Sequence, residues 1–297
     1  MTVVTKTEPF HVSTLAIVGV GLIGGSFAAA LRQAGCVGRV LGAGRRPETL
    51  QEAVRLGLID EAVTLAEAAQ RADFIFVAAP VGAFAAIFAG LKPTLNPRAV
   101  VTDGGSTKQN VIEAARAGLQ ECIAQFVPSH PMAGSHETGP QAANASLYQG
   151  KRVVLTPLVE NHPQDIARVQ DAWRACGANL VTLDPAQHDA AVAAISHMPH
   201  WVAALFMQHL TQSDDAALKL ELAGSGFRDF TRVAQGSPEM WRDIFEANRQ
   251  AMQTEIATFR KVLERAEHAL NVGDYGYLQD MLEVAAKARR DWMSQQS

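Results

Sequence analysis

From Thr14 onward, short apolar runs alternate with stretches whose apolar positions recur every three or four residues. LAIVGV precedes a helical pattern reaching Ala34, RVLGA precedes one that starts after Pro47, and FIFVAA precedes a third, which predicts the order βαβαβ. VVTDGG, FVPSH, VVLTP and ANLVTL continue the strand series. Strands separated by helices predict one parallel, doubly wound sheet with right-handed crossovers.

After Pro185 the strand pattern stops, and the helical period predicts helices over roughly 186–210, 214–223, 238–270 and 274–293. The expected organisation is an α/β doubly wound domain over residues 14–184 and an all-α domain over residues 185–297. Within residues 240–270, Ile244, Phe245, Met252, Ile256, Phe259 and Leu263 fall at near-heptad spacing, too long a stripe for a small monomeric bundle to cover. A homodimer formed through the helical domain is the expectation, with packing back on the first domain as the alternative. Residues 74–91 carry no charge and approach membrane-spanning length. Asp73 starts this stretch and Pro80 and Gly82 interrupt it, so it reads as a buried strand feeding a helix.

The composition agrees with two cores: 297 residues, 48% hydrophobic and 19% charged. A formal charge of −4 sets up no field for nucleic acid or an anionic membrane, so neither is expected as a partner. Cys36, Cys122 and Cys176 are widely spaced and form no CxxC pair, so neither a disulfide framework nor a zinc cage is expected. A reducing cytoplasm is the expected location. Residues 1–13 are a mixed polar lead-in without a secretory pattern, read as a loose tail.

GVGLIG stands directly after an apolar strand and opens a helix, the setting in which a glycine pattern signals a dinucleotide site and a Rossmann-type fold. Gly19 is expected to allow the tight turn, Gly21 to let backbone approach the pyrophosphate, and Gly24 to let helix pack on strand. Leu22 and Ile23 in the turn, and Ala79 and Pro80 after the third strand, complete the expected cofactor contacts. About twenty residues past the glycines, NAD-binding folds usually carry an acid for the ribose hydroxyls. Here the chain reads Gly44, Arg45, Arg46, which leaves room for a 2′-phosphate and supplies guanidinium partners for it. NADP is therefore the preferred cofactor, with NAD as the alternative.

GVGLIGGS, TDGGSTK at residues 102–108, SHPMAGSHETG at 129–139, ISHMPH at 195–200, SGFRDFTR at 225–232 and MWRDI at 240–244 occur in this order. Together they resemble the prephenate and arogenate (cyclohexadienyl) dehydrogenases of tyrosine biosynthesis, over nearly the whole chain after the tail. The resemblance implies oxidative decarboxylation of prephenate to 4-hydroxyphenylpyruvate with hydride transfer to NAD(P)+. Arogenate, giving tyrosine, is the alternative substrate. It further implies His130 as base and Ser106 beside the nicotinamide and the substrate hydroxyl. Arg232 is implied as the carboxylate clamp, His200 and less directly His197 at the substrate side chain.

The residue types suit those roles. A neutral imidazole at a strand end can take a hydroxyl proton near neutral pH, and Arg suits a planar bidentate grip on a carboxylate. Asp229 lies close enough in sequence to orient one of Arg228 and Arg232, which can share a helical face. Ser106 can alternatively be a helix N-cap, and Lys108 reads as a solvated first-turn lysine, or as the general acid of a β-hydroxyacid dehydrogenase. His197 and His200, three apart around Pro199, lack a third ligand, so no metal is expected. Many family members have Glu two residues after the HPMAG glycine, where this chain has His136, which places sensing of the substrate side chain there. His200 favours prephenate, because an imidazole can donate to a keto acid and, if protonated, repels an ammonium. Any tyrosine inhibition is expected at the active site, no regulatory or chorismate mutase segment being read beyond the two domains. The remaining rivals are a β-hydroxyacid dehydrogenase and a non-catalytic NADP sensor.

Overall fold

A computed structural model describes residues 10–134 and 137–295, in two compact units that divide between Arg249 and Gln250. The first unit opens with β1 (Val12–Val18), α1 (Leu22–Gln33), β2 (Val37–Ala43), α2 (Pro47–Arg55), β3 (Glu61–Ala62), α3 (Leu65–Arg71) and β4 (Phe74–Val77). It continues through α4 (Phe84–Leu91), β5 (Val100–Asp103), α5 (Gln109–Leu119) and β6 (Phe126–Val127). The six strands are all parallel in the order β3-β2-β1-β4-β5-β6. The order reverses between β1 and β4, so the segments leaving their C-terminal ends part and open a crevice there.

Both faces of the sheet are covered, and the pleat sorts side chains between two cores. Leu15, Ile17, Phe74 and Phe76 join Phe27 and Trp173 on one face, whereas Ala16, Val18, Ile75 and Val77 join Phe84, Phe88 and Leu119 on the other. Near-continuous apolar runs in β1 and β4 follow from this double burial.

The expected single sheet is instead two. β7 (Ser129–Pro131), β8 (Arg152–Leu155) and β9 (Asn179–Thr182), with α6 (Pro163–Ala175) before β9, form a separate three-stranded sheet in which β7 runs antiparallel to β8. FVPSH was read as one strand and breaks at Pro128, which has no N–H to extend the ladder. Its carbonyl accepts from Thr156 N at 3.1 Å, and the chain passes to the second sheet. At the other end, Val12 and Ser13 belong to β1 rather than to a tail, and the Ser13 N–H reaches the Asp73 carboxylate at 3.2 Å. Residues 1–9 of the expected tail lie outside the described residues.

The helical part follows with α7 (Pro185–Val192), a π-helical turn (Ala193–His197), α8 (Met198–Thr211), α9 (Ala216–Glu221), α10 (Ser225–Thr231) and α11 (Pro238–Ala247). The one helix expected over 186–210 is interrupted by that π turn just before Pro199, whose missing N–H and bulky ring disturb the regular ladder. The helix expected over 238–270 is likewise two, α11 and α12 (Arg249–Val272). Asn248 leaves helical geometry at φ −107°, ψ 29°, and its side chain is engaged elsewhere, as described below. α10 lies outside the four expected helix ranges.

In the second unit α12 ends before Gly273, whose φ of +72° suits a glycine, and Asp274 caps α13 (Tyr275–Ser294) by accepting from Tyr277 N at 3.0 Å. Arg265 lies over the Tyr277 ring at 4.7 Å. Phe259, Val262, Leu263, Leu282 and Val284 are exposed on these two helices.

Candidate active site

The glycine turn is built as its spacing suggests. Gly19 has φ +97°, and a Cβ there would lie 2.5 Å from the Ala78 carbonyl oxygen. A Cβ on Gly24 would meet Gly19 O at 2.2 Å and Ile17 Cγ2 at 2.6 Å, so helix and strand touch through a missing side chain. Over Gly21 no atom lies within 4 Å of such a Cβ. Gly21 caps α1 without a side-chain bond, and the first turn holds no acid, which leaves orphan amides and the positive helix end open to an anion. This cradle fits a dinucleotide pyrophosphate. Ala79 and Pro80 lie across the crevice, just beyond β4.

Past β2, Gly44 has room: its nearest neighbour would be Leu50 at 3.6 Å. Arg45 and Arg46 are exposed, and among the described residues neither forms an ion pair. Arg45, Pro80, Gly82, Ala83 and Asn110 line a cavity of about 500 Å³ together with α11 residues Glu239, Arg242, Asp243 and Glu246. Arg242 is committed to Asp243 at 2.6 Å.

His130 is the middle residue of β7, opposite Val154. Its Nδ1 lies 2.8 Å from Nε2 of His188, and His188 Nδ1 lies 2.8 Å from Asp189 Oδ1. Burial carries the His130 pKa well below the usual 6.5, and the nearby His188, Lys108 and His197 push the same way. The ring is therefore neutral at pH 7. Asp189 is held below the usual carboxylate range against the opposing pull of burial, because His188 and the amides of Gln109 and Lys108 donate to it. Those amides bond at 2.9 and 2.7 Å, so Asp189 of α7 caps the N-terminus of α5.

Lys108 is a correction. The lysine expected in solvent is fully buried, donating to Asp103 Oδ2 at 2.5 Å and to Ser129 O at 2.7 Å. Asp103 also accepts from Ser129 N at 2.9 Å and Gly105 N at 2.8 Å. Burial pushes Lys108 down and Asp103 up, and each opposes the other's shift as the counter-charge. The pair clamps the GGSTK loop to the residue preceding His130. Such a lysine is not placed as the acid of a β-hydroxyacid mechanism. Ser106 sits in that loop, partly buried, but the helix cap is Lys108 rather than Ser106.

His197 and His200 are brought to the same region. Asn248 Nδ2 donates to Asp189 O at 2.8 Å and meets His197 Nδ1 at 3.2 Å. His200 stacks on Trp241 with ring centroids 3.6 Å apart. Burial lowers His197 to about 4 and also lowers His200, so both rings are uncharged at neutral pH. Charge repulsion by a protonated His200, one argument for prephenate over arogenate, is therefore not available at that pH. Among the described residues, His197 Nε2 and His200 Nδ1 are buried without a hydrogen-bond partner.

Arg232 begins a 3-10 turn after α10 and lines a second cavity of about 420 Å³ with Ala223, Gly224, Phe227, Arg228 and Thr231. α8, which carries His200, packs against this turn. Asp229 is exposed and, among the described residues, pairs with neither arginine, which corrects its expected orienting role. His136 lies outside the described residues.

His188, Asp189 and Asn248 went unremarked in the sequence. The available signal was in α7, where His188 and Asp189 stand with Val192 on the buried face. A titratable pair at positions that the helical period reserves for apolar residues calls for a partner.

Comparison with known proteins places this geometry. Residues 27–182 match the family model "Prephenate dehydrogenase, nucleotide-binding domain", and residues 184–284 match "Prephenate dehydrogenase, dimerization domain". The chain is 35% identical to prephenate dehydrogenase of Bacillus subtilis over 80% of its own length and 64% of that protein's, so it spans just under two thirds of that relative. It is 31% identical to cyclohexadienyl dehydrogenase of Zymomonas mobilis, over 93% of this chain and 94% of that one. A crystal structure of prephenate dehydrogenase from Aquifex aeolicus, in complex with hydroxyphenyl propionate and NAD+, superposes with a TM-score of 0.90 at 32% identity. That match covers 96% of this chain and 99% of the other. With both halves matched and a Rossmann-type domain followed by helices, the chain belongs to the prephenate dehydrogenase family.

Proposed function

We propose that this chain catalyses the oxidative decarboxylation of prephenate to 4-hydroxyphenylpyruvate, with hydride transfer to NAD(P)+. The observation that carries this reading is a neutral His130, held by His188 beside the loop that follows β5, in a chain of this family. A nicotinamide dinucleotide held over Gly19, Gly21 and Gly24 supplies the hydride acceptor. His130 takes the hydroxyl proton as the ring carbinol becomes a carbonyl, using Nε2, since Nδ1 faces His188. The ring carboxylate is then conjugated through the ring to that carbonyl. Its carbon–carbon bond electrons flow into the ring as carbon dioxide leaves, and His130 returns the proton to the phenolate oxygen. Ser106, in the loop after β5, contacts the nicotinamide side and the substrate hydroxyl. Arg232 grips a carboxylate, while the unpartnered nitrogens of His197 and His200 meet the polar side chain.

For the cofactor, our finer reading is NADP over NAD. Open space at Gly44 and two guanidinium groups that form no ion pair among the described residues support it. For the substrate, prephenate is favoured and arogenate is the second reading, kept by the likeness to a cyclohexadienyl dehydrogenase. Exposed Phe259, Leu263, Leu282 and Val284 support a homodimer through the helical region. Three free thiols support a cytoplasmic location. One assay tests the reading: purified protein with prephenate or arogenate, each with NAD+ or NADP+, with the product identified. Turnover of prephenate to 4-hydroxyphenylpyruvate with the higher kcat/KM on NADP+ is expected. No turnover of either substrate rejects the function, and a clear NAD+ preference rejects the role of Arg45 and Arg46.

A further inference from the structure

An imidazole that acts as a base needs more than a suitable pKa. Its lone pair must be on the nitrogen that faces the substrate, and a neutral ring has two tautomers. The contacts around His130 decide between them. Asp189 is ionised and can only accept, so His188 Nδ1 must carry the proton of their 2.8 Å bond. The nitrogen of His188 that faces His130 is then Nε2, and for His130 to act as a base this Nε2 accepts from His130 Nδ1 across 2.8 Å. The lone pair of His130 is left on Nε2.

We infer that His188 and Asp189 are positioning residues that lock His130 in its Nδ1–H tautomer, with the basic lone pair on Nε2. This rests on the reading of His130 as the base. Asp189 is itself fixed from three sides. Lys108 N and Gln109 N donate to its carboxylate, and Asn248 Nδ2 donates to its carbonyl oxygen at 2.8 Å. One carboxylate thereby sets the base's tautomer and anchors the helix that follows the Ser106 loop. Base and loop are held in one frame, and the substrate hydroxyl has to meet both.

The arrangement has the logic of an acid orienting a histidine base, where the wrong tautomer can cost about 10⁴ in kcat. His130, unlike a protease histidine, is reached through a second imidazole, so removing the relay frees the tautomer rather than forcing it. His188→Phe is expected to lower kcat by about 10²-fold with KM changed less than about threefold. Asp189→Asn offers His188 a donor as well as an acceptor and is expected to lower kcat in the same way.

The deciding measurement is nitrogen NMR of histidine-labelled protein at neutral pH, with the His130 signals assigned through His130→Asn. In the wild type the proton-bearing nitrogen of His130 should be Nδ1. In His188→Phe, or in Asp189→Asn should the first variant not fold, a population with the proton on Nε2 should appear. A wild-type His130 protonated at Nε2, or a tautomer unchanged in a folded variant, overturns the inference. The readout does not depend on turnover. A locked Nδ1–H tautomer in a protein that fails to oxidise prephenate would reject the proposed function and leave the relay standing.

Discussion

Lys108 Nζ lies 2.5 Å from Asp103 Oδ2 with both side chains fully buried, and the same ammonium holds the carbonyl of Ser129, one residue before His130. Neither charge has water to fall back on. Lys108→Ala should therefore cost about 3–5 kcal/mol in urea denaturation, the range for stranding one member of a buried pair. Adding Asp103→Asn should recover part of that loss by removing the stranded charge. A single-variant loss below about 1 kcal/mol, in the range of an exposed pair, would show that the clamp contributes little.

His130→Asn should reduce kcat by about 10²–10⁴-fold, the usual worth of a general base, while dinucleotide binding by fluorescence titration stays within a few-fold. Unchanged turnover would remove His130 as the base. The pH profile gives an independent check. The base works deprotonated, and its pKa lies well below 6.5 because it is buried and faces His188, Lys108 and His197. The acid limb of kcat/KM should therefore lie below pH 6.5, and a limb above that value contradicts the assignment.

Arg232→Ala should act on the substrate and not on the cofactor. Losing charge-assisted hydrogen bonds to a carboxylate predicts a KM increase of about 10- to 100-fold with little change in dinucleotide affinity. An effect confined to the cofactor would contradict the clamp.

His197 makes stability depend on pH with a definite sign. Its folded pKa of about 4 lies below the usual 6.5, so the unfolded chain binds the proton more readily between those values. The stabilisation is complete above pH 6.5 and is lost as pH falls toward 4. The shift corresponds to at most about 3–4 kcal/mol. The urea midpoint should drop from pH 7 to pH 4.5, and the drop should be smaller in His197→Gln. An equally steep drop in that variant would place the titration elsewhere.

Much of this molecule was legible locally. The glycine turn could be read because its requirements are met within a few residues: φ +97° at Gly19 and the contact of Gly24 with Ile17 follow from strand, turn and helix in sequence. His130, Ser106 and Arg232 stood out because each sits in a run of residues with a family's spacing. The helix break at Asn248 did not, because the apolar period continues through it. Lys108 was misread for a related reason. A charged residue at a helix start is usually solvated, and only Asp103 and Ser129, brought from other strands, make its burial tolerable.

The sequence by itself determined the alternation of strands and helices and the dinucleotide turn, since these depend on neighbours along the chain. Only the tertiary structure decided that the strand after Pro128 leaves the main sheet. It alone showed that Lys108 is a buried clamp and that Asp189 reaches His130 through His188. Those features are contacts between residues as far apart as 81 positions, from Lys108 to Asp189, and hydrogen-bond geometry across such a gap leaves no periodic trace in the chain.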